Sequence, residues 1–159
     1  MNTLIIKVLA FLLTIFPSCG MLLTPYQSLM FPGEAIVTEN IMNAFKTRDV
    51  AALEAMMSPE SEKTMEDLPG NIGAIIDAID GEITRYSRSG SYGYDEADFG
   101  IRISRTSWSL VIITATESYW LSISWVVINN RAPEKVGMSN LSLLDANGNE
   151  LATTYHPRT

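Results

Sequence analysis

The sequence predicts an α+β domain, with N-terminal helices packed on a curved antiparallel sheet. Three observations carry this. Apolar residues recur at helical spacing between Glu34 and Ile79. After Gly81 the period changes to two. The strands then follow one another as a meander, with no helix between them.

The first helix opens at Glu34, where Val37, Ile41, Ala44 and Phe45 form one apolar stripe at i, i+4, i+7 and i+8. Thr47-Arg48-Asp49 interrupts the stripe. Asp49 can cap a short second helix carrying Val50, Leu53, Met56 and Met57; alternatively, the two segments run as one bent helix. Ser58-Pro59-Glu60 is a stop followed by a new N-terminus, with serine as cap and proline at the first position. A third helix carries Leu68, Ile72, Ile75, Ile76 and Ile79, with Asp67 as a cap and Gly81 as its end.

Glu82–Arg88 is the first predicted strand, and Ser89–Asp98, rich in Gly, Ser, Tyr and Asp, is read as a loop. Phe99–Arg105 alternates, and Trp108–Thr116 carries Leu110, Val111, Ile112 and Ile113. Tyr119–Ile128 puts Tyr119, Leu121, Ile123, Trp125 and Val127 on one face and Trp120, Ser122, Ser124 and Val126 on the other. Asn129–Val136 contains Pro133 and turns the chain. Ser139–Asp145 is another strand, Asn147-Gly148 is a hairpin signal, and Glu150–Tyr155 pairs back. A chain of this size buries roughly two-thirds of its unfolded surface and needs no covalent staple.

The N-terminus reads as an address. Lys7 precedes a nine-residue apolar core, Val8–Phe16, within the usual ~7–15 residues of a secretory leader. The following Pro17-Ser18-Cys19-Gly20 resembles a bacterial lipobox. That resemblance implies cleavage before Cys19 and diacylation of its sulfur. An uncleaved helical anchor is the alternative, although Val8–Leu23 is shorter than the ~20 residues a span needs. A plain core helix is a third reading, with nothing polar to face the solvent. The expected organisation is therefore a lipoprotein signal peptide over residues 1–18, a tether over 19–33 and an α+β domain over 34–159.

Composition excludes several classes. Acids outnumber bases 18 to 11, giving a net charge of -7, so neither nucleic acid nor a polybasic membrane contact is expected. With one cysteine and one histidine, His156, there is no intrachain disulfide, no multi-cysteine zinc site and no Ser/His/Asp set. No phosphate loop or dinucleotide fingerprint is present, and no cofactor or metal is expected.

The order of segments resembles the nuclear transport factor 2-like (cystatin-like) cone. Ala44–Ser58 resembles the opening common to many such domains. Ile79-Asp80-Gly81-Glu82-Ile83 and Leu143-Leu144-Asp145-Ala146-Asn147-Gly148 resemble a family of Gram-positive lipoproteins carrying domain of unknown function 5104. The resemblance covers about Glu34 to Leu151. It implies the fold and a lipoprotein context but no activity, so it transfers no catalytic residue. A cone of this type would hold its cavity between the concave sheet and the first helix.

Within that frame the candidate ligand-binding residues are Tyr86, Tyr92, Tyr94, Trp108 and Trp125, and the lipidation site is Cys19. Tyr86–Phe99 brings hydroxyls and the carboxylates of Asp95, Glu96 and Asp98 to a glycine-bearing segment, read either as a ligand-gating loop or as a solvated turn. Trp120 and Trp125 differ by five positions and should point to opposite faces. Buried tryptophan is mostly packing, whereas an exposed one on the convex face suggests a protein partner or a homodimer through the sheet. Asp77 and Asp80 are expected at the wet end of the third helix.

The expected protein is an extracytoplasmic lipoprotein anchored to the cell membrane. It is a non-enzymatic module for a small apolar or amphipathic ligand or a protein partner. The alternative is a cavity enzyme of isomerase or dehydratase type using an Asp or Tyr.

Overall fold

A computed structural model describes Phe31 and residues 33–155. The expected leader, Cys19, most of the tether and His156 lie outside the described residues. Four helices come first: α1 (Glu34–Thr47), α2 (Val50–Glu54), α3 (Pro59–Thr64) and α4 (Leu68–Asp77). Five strands follow: β1 (Arg85–Asp98), β2 (Ile101–Ile113), β3 (Ser118–Asn129), β4 (Gly137–Leu144) and β5 (Glu150–Thr153). They form one open sheet in chain order, every neighbouring pair antiparallel. The fold is α+β.

The starts of α2, α3 and α4 are set by side chains that accept from free backbone N–H groups. Arg48 takes a left-handed conformation (φ 56°) and ends α1, so the first two helices are separate. The Asp49 carboxylate accepts from the Ala52 N–H at 2.9 Å and starts α2. Ser58 Oγ accepts from the Ser61 N–H at 3.1 Å with Pro59 in the first turn, and Asp67 accepts from Gly70. Both expected caps are used, each by its own helix. The segment between Ser58 and Gly81 therefore holds two helices, α3 and α4, where one was expected.

The inner face of the sheet carries Trp108, Leu110 and Ile112 from β2, Tyr119, Leu121 and Ile123 from β3, and Met138, Leu141 and Leu143 from β4. These pack against Ile41, Met42 and Phe45 of α1, Leu53 of α2 and Leu68, Ile72, Ile75 and Ile76 of α4, all buried. The core is continuous from the helices to the sheet. Bulges at Arg88/Gly90, Ser104/Arg105, Ser124/Trp125 and Leu143/Leu144 break the regular ladder and bend the strands. The segment before α3 is tied to the start of β4: Ser58 N–H donates to Met138 O and Met138 N–H to Met56 O, both at 2.9 Å. Gly137 (φ 129°) permits this, because a Cβ there would lie 3.1 Å from the Ser58 backbone.

Two strand readings need correction. Ser89–Asp98 is not a loop, because β1 runs unbroken from Arg85 to Asp98 and pairs with β2 along its whole length. Phe99–Arg105 and Trp108–Thr116 are not separate strands, since Ile101–Ile113 is one. In both cases the ladder hydrogen bonds outweigh a local composition that favours turns.

Candidate functional site

The five sequence-predicted binding residues do not form one site. Trp108 and Trp125 meet on the inner face, with ring centroids 6.5 Å apart. Phe31 closes the group at 6.1 Å from Trp108 and 6.3 Å from Trp125. Tyr86 is also on the inner face, opposite Ile112, but nearer the base of the sheet, where Lys46 lies 5.5 Å over its ring. The register of β1 explains the rest. Tyr86 and Arg88 pair with the buried Ile112 and Leu110. Ser89 is the extra residue of a bulge, and beyond it the faces exchange parity. Tyr92 and Tyr94 therefore sit opposite Ser107 and Arg105 on the outer face. There, with Thr106, they line a shallow cleft of about 240 Å³. The Tyr94 hydroxyl donates to Glu96 Oε2 at 3.1 Å, and this bond to a carboxylate raises the phenol pKa. The proposed gating loop is thus a strand whose tyrosines face away from the core. Asp95 and Glu96 alternate in face as well. Among the described residues no three His, Cys, Asp or Glu side chains are placed to hold a metal ion.

The alternation of β3 holds from Tyr119 to Trp125; beyond it Val126, expected outside, is buried, and Val127, expected inside, is the extra residue of a bulge. Trp125 packs on the core, and Trp120 on the outer face is 40% exposed. Asp77 is exposed and forms an ion pair with Arg48. Asp80 uses its backbone, donating its N–H to the Tyr119 hydroxyl at 3.0 Å. Burial of Tyr119 raises its pKa. A second cleft, of about 340 Å³, opens beside Lys46, Arg48, Gly81 and Glu82, with Phe45, Ile76, Ile79 and Ile83 as its apolar floor.

Two residues that sequence reasoning missed complete the aromatic group. Glu34, at the first position of α1, is 1% exposed. Its backbone N–H donates to Phe31 O at 3.0 Å, which holds it beside the aromatic cluster. Arg88, on the inner face of β1 immediately before the bulge, brings Nη2 to 2.8 Å from Glu34 Oε1. The pair is close but not aligned as a hydrogen bond. Both oxygens of Glu34, Nε and Nη2 of Arg88 and the indole Nε1 of Trp108 are shielded from solvent without a hydrogen-bond partner. Burial raises the Glu34 pKa above its ordinary value, and Arg88 opposes the shift. Polar atoms without a hydrogen bond at this depth are uncommon and costly. The cluster offers an acceptor, two sets of donors and flat apolar surfaces at one point of the inner face. A sequence signal existed: Arg88 follows Tyr86 at strand spacing, so a cation falls on the face that otherwise reads as apolar.

These features define an α+β domain whose inner sheet face carries a buried polar group at the start of its first helix. The family model described as Domain of unknown function (DUF5104) matches residues 40–146, from within α1 to just past β4, and the chain belongs to that family. The match includes Arg88, Trp108 and Trp125 and leaves Glu34 outside. No curated protein matches the chain. Among the described residues no helix is long and apolar enough to cross a membrane.

Proposed function

We propose that this protein is a membrane-anchored, extracytoplasmic binding module that takes a small amphipathic ligand at the Glu34–Arg88–Trp108 cluster. One observation carries the reading: five shielded polar side-chain atoms that make no hydrogen bond, those of Glu34 and Arg88 in ionic contact only, lie beside the Phe31–Trp108–Trp125 aromatic group. A ligand carboxylate or carbonyl would accept from Arg88 and Trp108. A ligand hydroxyl or amine would donate to Glu34, and an apolar body would lie against Phe31 and Trp125. The four bulged strand pairs and the helices-first order support assigning the scaffold to the nuclear transport factor 2-like cone, whose concave face is this inner face.

The anchor rests on the lipobox-like Pro17-Ser18-Cys19-Gly20, with Cys19 as the acylated residue and residues 19–33 as tether. Palmitate labelling in the host should disappear on Cys19→Ala, and labelling that survives the change rejects the anchor. The ligand reading is tested by native mass spectrometry of the full chain extracted from its own host. A retained small molecule is expected in the wild type and lost in Arg88→Met and Trp108→Phe. An empty wild-type protein, or a molecule retained equally by both variants, rejects it.

One observation favours a second reading, an enzyme of isomerase or dehydratase type. Glu34 is a buried carboxylate whose pKa is raised, as a general acid–base requires. It would use a Glu where the sequence suggested an Asp or Tyr.

A further inference from the structure

Among the described residues β1 is the longer of the two edge strands of the sheet, 14 residues against four in β5. The strand has 14 residues, contains no proline or lysine, and pairs only with β2; among the described residues nothing pairs with its other side. Long open edges are normally blocked or occupied, because their free N–H and C=O groups template another strand. This edge also has a charge order. Arg85 and Arg88 lie at its start, and Asp95, Glu96 and Asp98 at its end.

We infer that β1 pairs antiparallel with β1 of a second copy of this chain, joining two sheets edge to edge about a two-fold axis at Tyr92. The register of β1 permits this pairing. A two-fold axis along the sheet normal keeps every residue on its own face, so each must meet a residue of the same face. The bulge at Ser89 makes this possible along the whole strand. With Tyr92 opposite itself, Ser91 meets Gly93 and Gly90 meets Tyr94. Ser89 bulges out, as it already does against β2. Beyond the bulge Arg88 meets Asp95, Ser87 meets Glu96, Tyr86 meets Ala97 and Arg85 meets Asp98. All residues of β1 are used, both arginines face aspartates, and no like charges are opposed. The axis generates each contact twice. Arg88 is already engaged by Glu34, so the exposed Arg85–Asp98 pairs carry most of the electrostatic preference. A partner of another sequence would not be matched by this internal complementarity.

The test uses the full chain in mild detergent with Cys19→Ser, which removes its own thiol. Tyr92→Cys should form a reducible dimer on mild oxidation. Tyr94→Cys and Phe99→Cys, both exposed, should remain monomeric, since position 94 is displaced from its symmetry mate by four residues, about 13 Å along the strand. Absence of the Tyr92→Cys dimer, or equal cross-linking at position 99, overturns the inference. A charge test is independent of thiols. Asp98→Arg should weaken dimerisation in sedimentation by about three- to tenfold, and Arg85→Asp with Asp98→Arg should restore it. A double variant as weak as the single overturns the register.

Discussion

The β1–β2 hairpin has a base and a tip built on the same ladder and covered differently. At the base, Arg85–Arg88 pairs with Leu110–Ile113, and the inner side chains of β2 are buried under the helices. At the tip, Asp95–Asp98 pairs with Ile101–Ser104. Both strands there are largely exposed, and β3 reaches no further than Asn129 opposite Ile103. Strand conformation thus has two separate causes within one element. The base is held by burial, the tip by backbone hydrogen bonds, one turn and the Asn130 side chain, which accepts from the Arg102 N–H at 2.8 Å and donates to Gly100 O at 2.7 Å.

The largest expected difference between them comes from truncation of β2. Leu110→Ala removes a side chain that is 1% exposed and should cost about 2–5 kcal/mol in chemical denaturation. Ile101→Ala, nine residues earlier and 36% exposed, should cost no more than about 0.5 kcal/mol. Comparable losses at both positions would mean that the tip is packed against something and the contrast is false.

The same contrast explains what the sequence disclosed. Helix starts were legible because Asp49, Ser58 and Asp67 are local signals that act within three residues; the ends were not, since α2 stops at Glu54, before Met56 and Met57, and α4 at Asp77, before the expected Gly81. The core face of β3 was legible because Tyr119, Leu121, Ile123 and Trp125 alternate with Trp120, Ser122 and Ser124. The tip of β1 was not, since Ser-Gly-Ser-Tyr-Gly-Tyr-Asp has no apolar face and its strand character comes from β2. The bulge at Ser89 was hidden for the same reason, and with it the assignment of Tyr92 and Tyr94 to the outer face. The pairing of Glu34 with Arg88 spans more than fifty positions and depends on the packing of α1 over the sheet, which no local pattern encodes.

That pair sits where the base ends, and it is held there by charge as well as by burial. Removing one partner of a buried ion pair typically costs ~3–5 kcal/mol. Arg88→Met should cost somewhat less, about 2–3 kcal/mol, because Glu34 can take up a proton instead of staying charged. The pH dependence has a defined sign. Burial raises the Glu34 pKa above its ordinary value of 4.5, so the folded chain holds this proton more tightly than the unfolded one. Its contribution to stability is complete below pH 4.5 and is lost as pH rises through the raised folded value. Glu34→Gln has no such titration. The melting temperature of Glu34→Gln relative to wild type should therefore increase as pH rises from 4.5. A difference that stays flat across that window would mean that Arg88 fully offsets the burial of the carboxylate.

The smallest effect is expected at the tip itself. Phe99 and Gly100 are the central residues of the turn and both have positive φ, 44° and 83°, as a type I′ turn requires. Asparagine adopts this conformation readily; a bulky aromatic does so at a cost of about 1 kcal/mol or more. Phe99 recovers none of that by packing, since it is 99% exposed. Phe99→Asn should consequently favour the turn. Because the tip is exposed and lies away from the core, the global stability should move by less than about 0.5 kcal/mol, while amide exchange between Ala97 and Arg102 slows severalfold. Unchanged exchange would assign the stability of the tip to the ladder and the Asn130 side chain. Slower exchange would show that the native turn residue is locally unfavourable, so that the reason for a phenylalanine at this position lies outside the folded monomer.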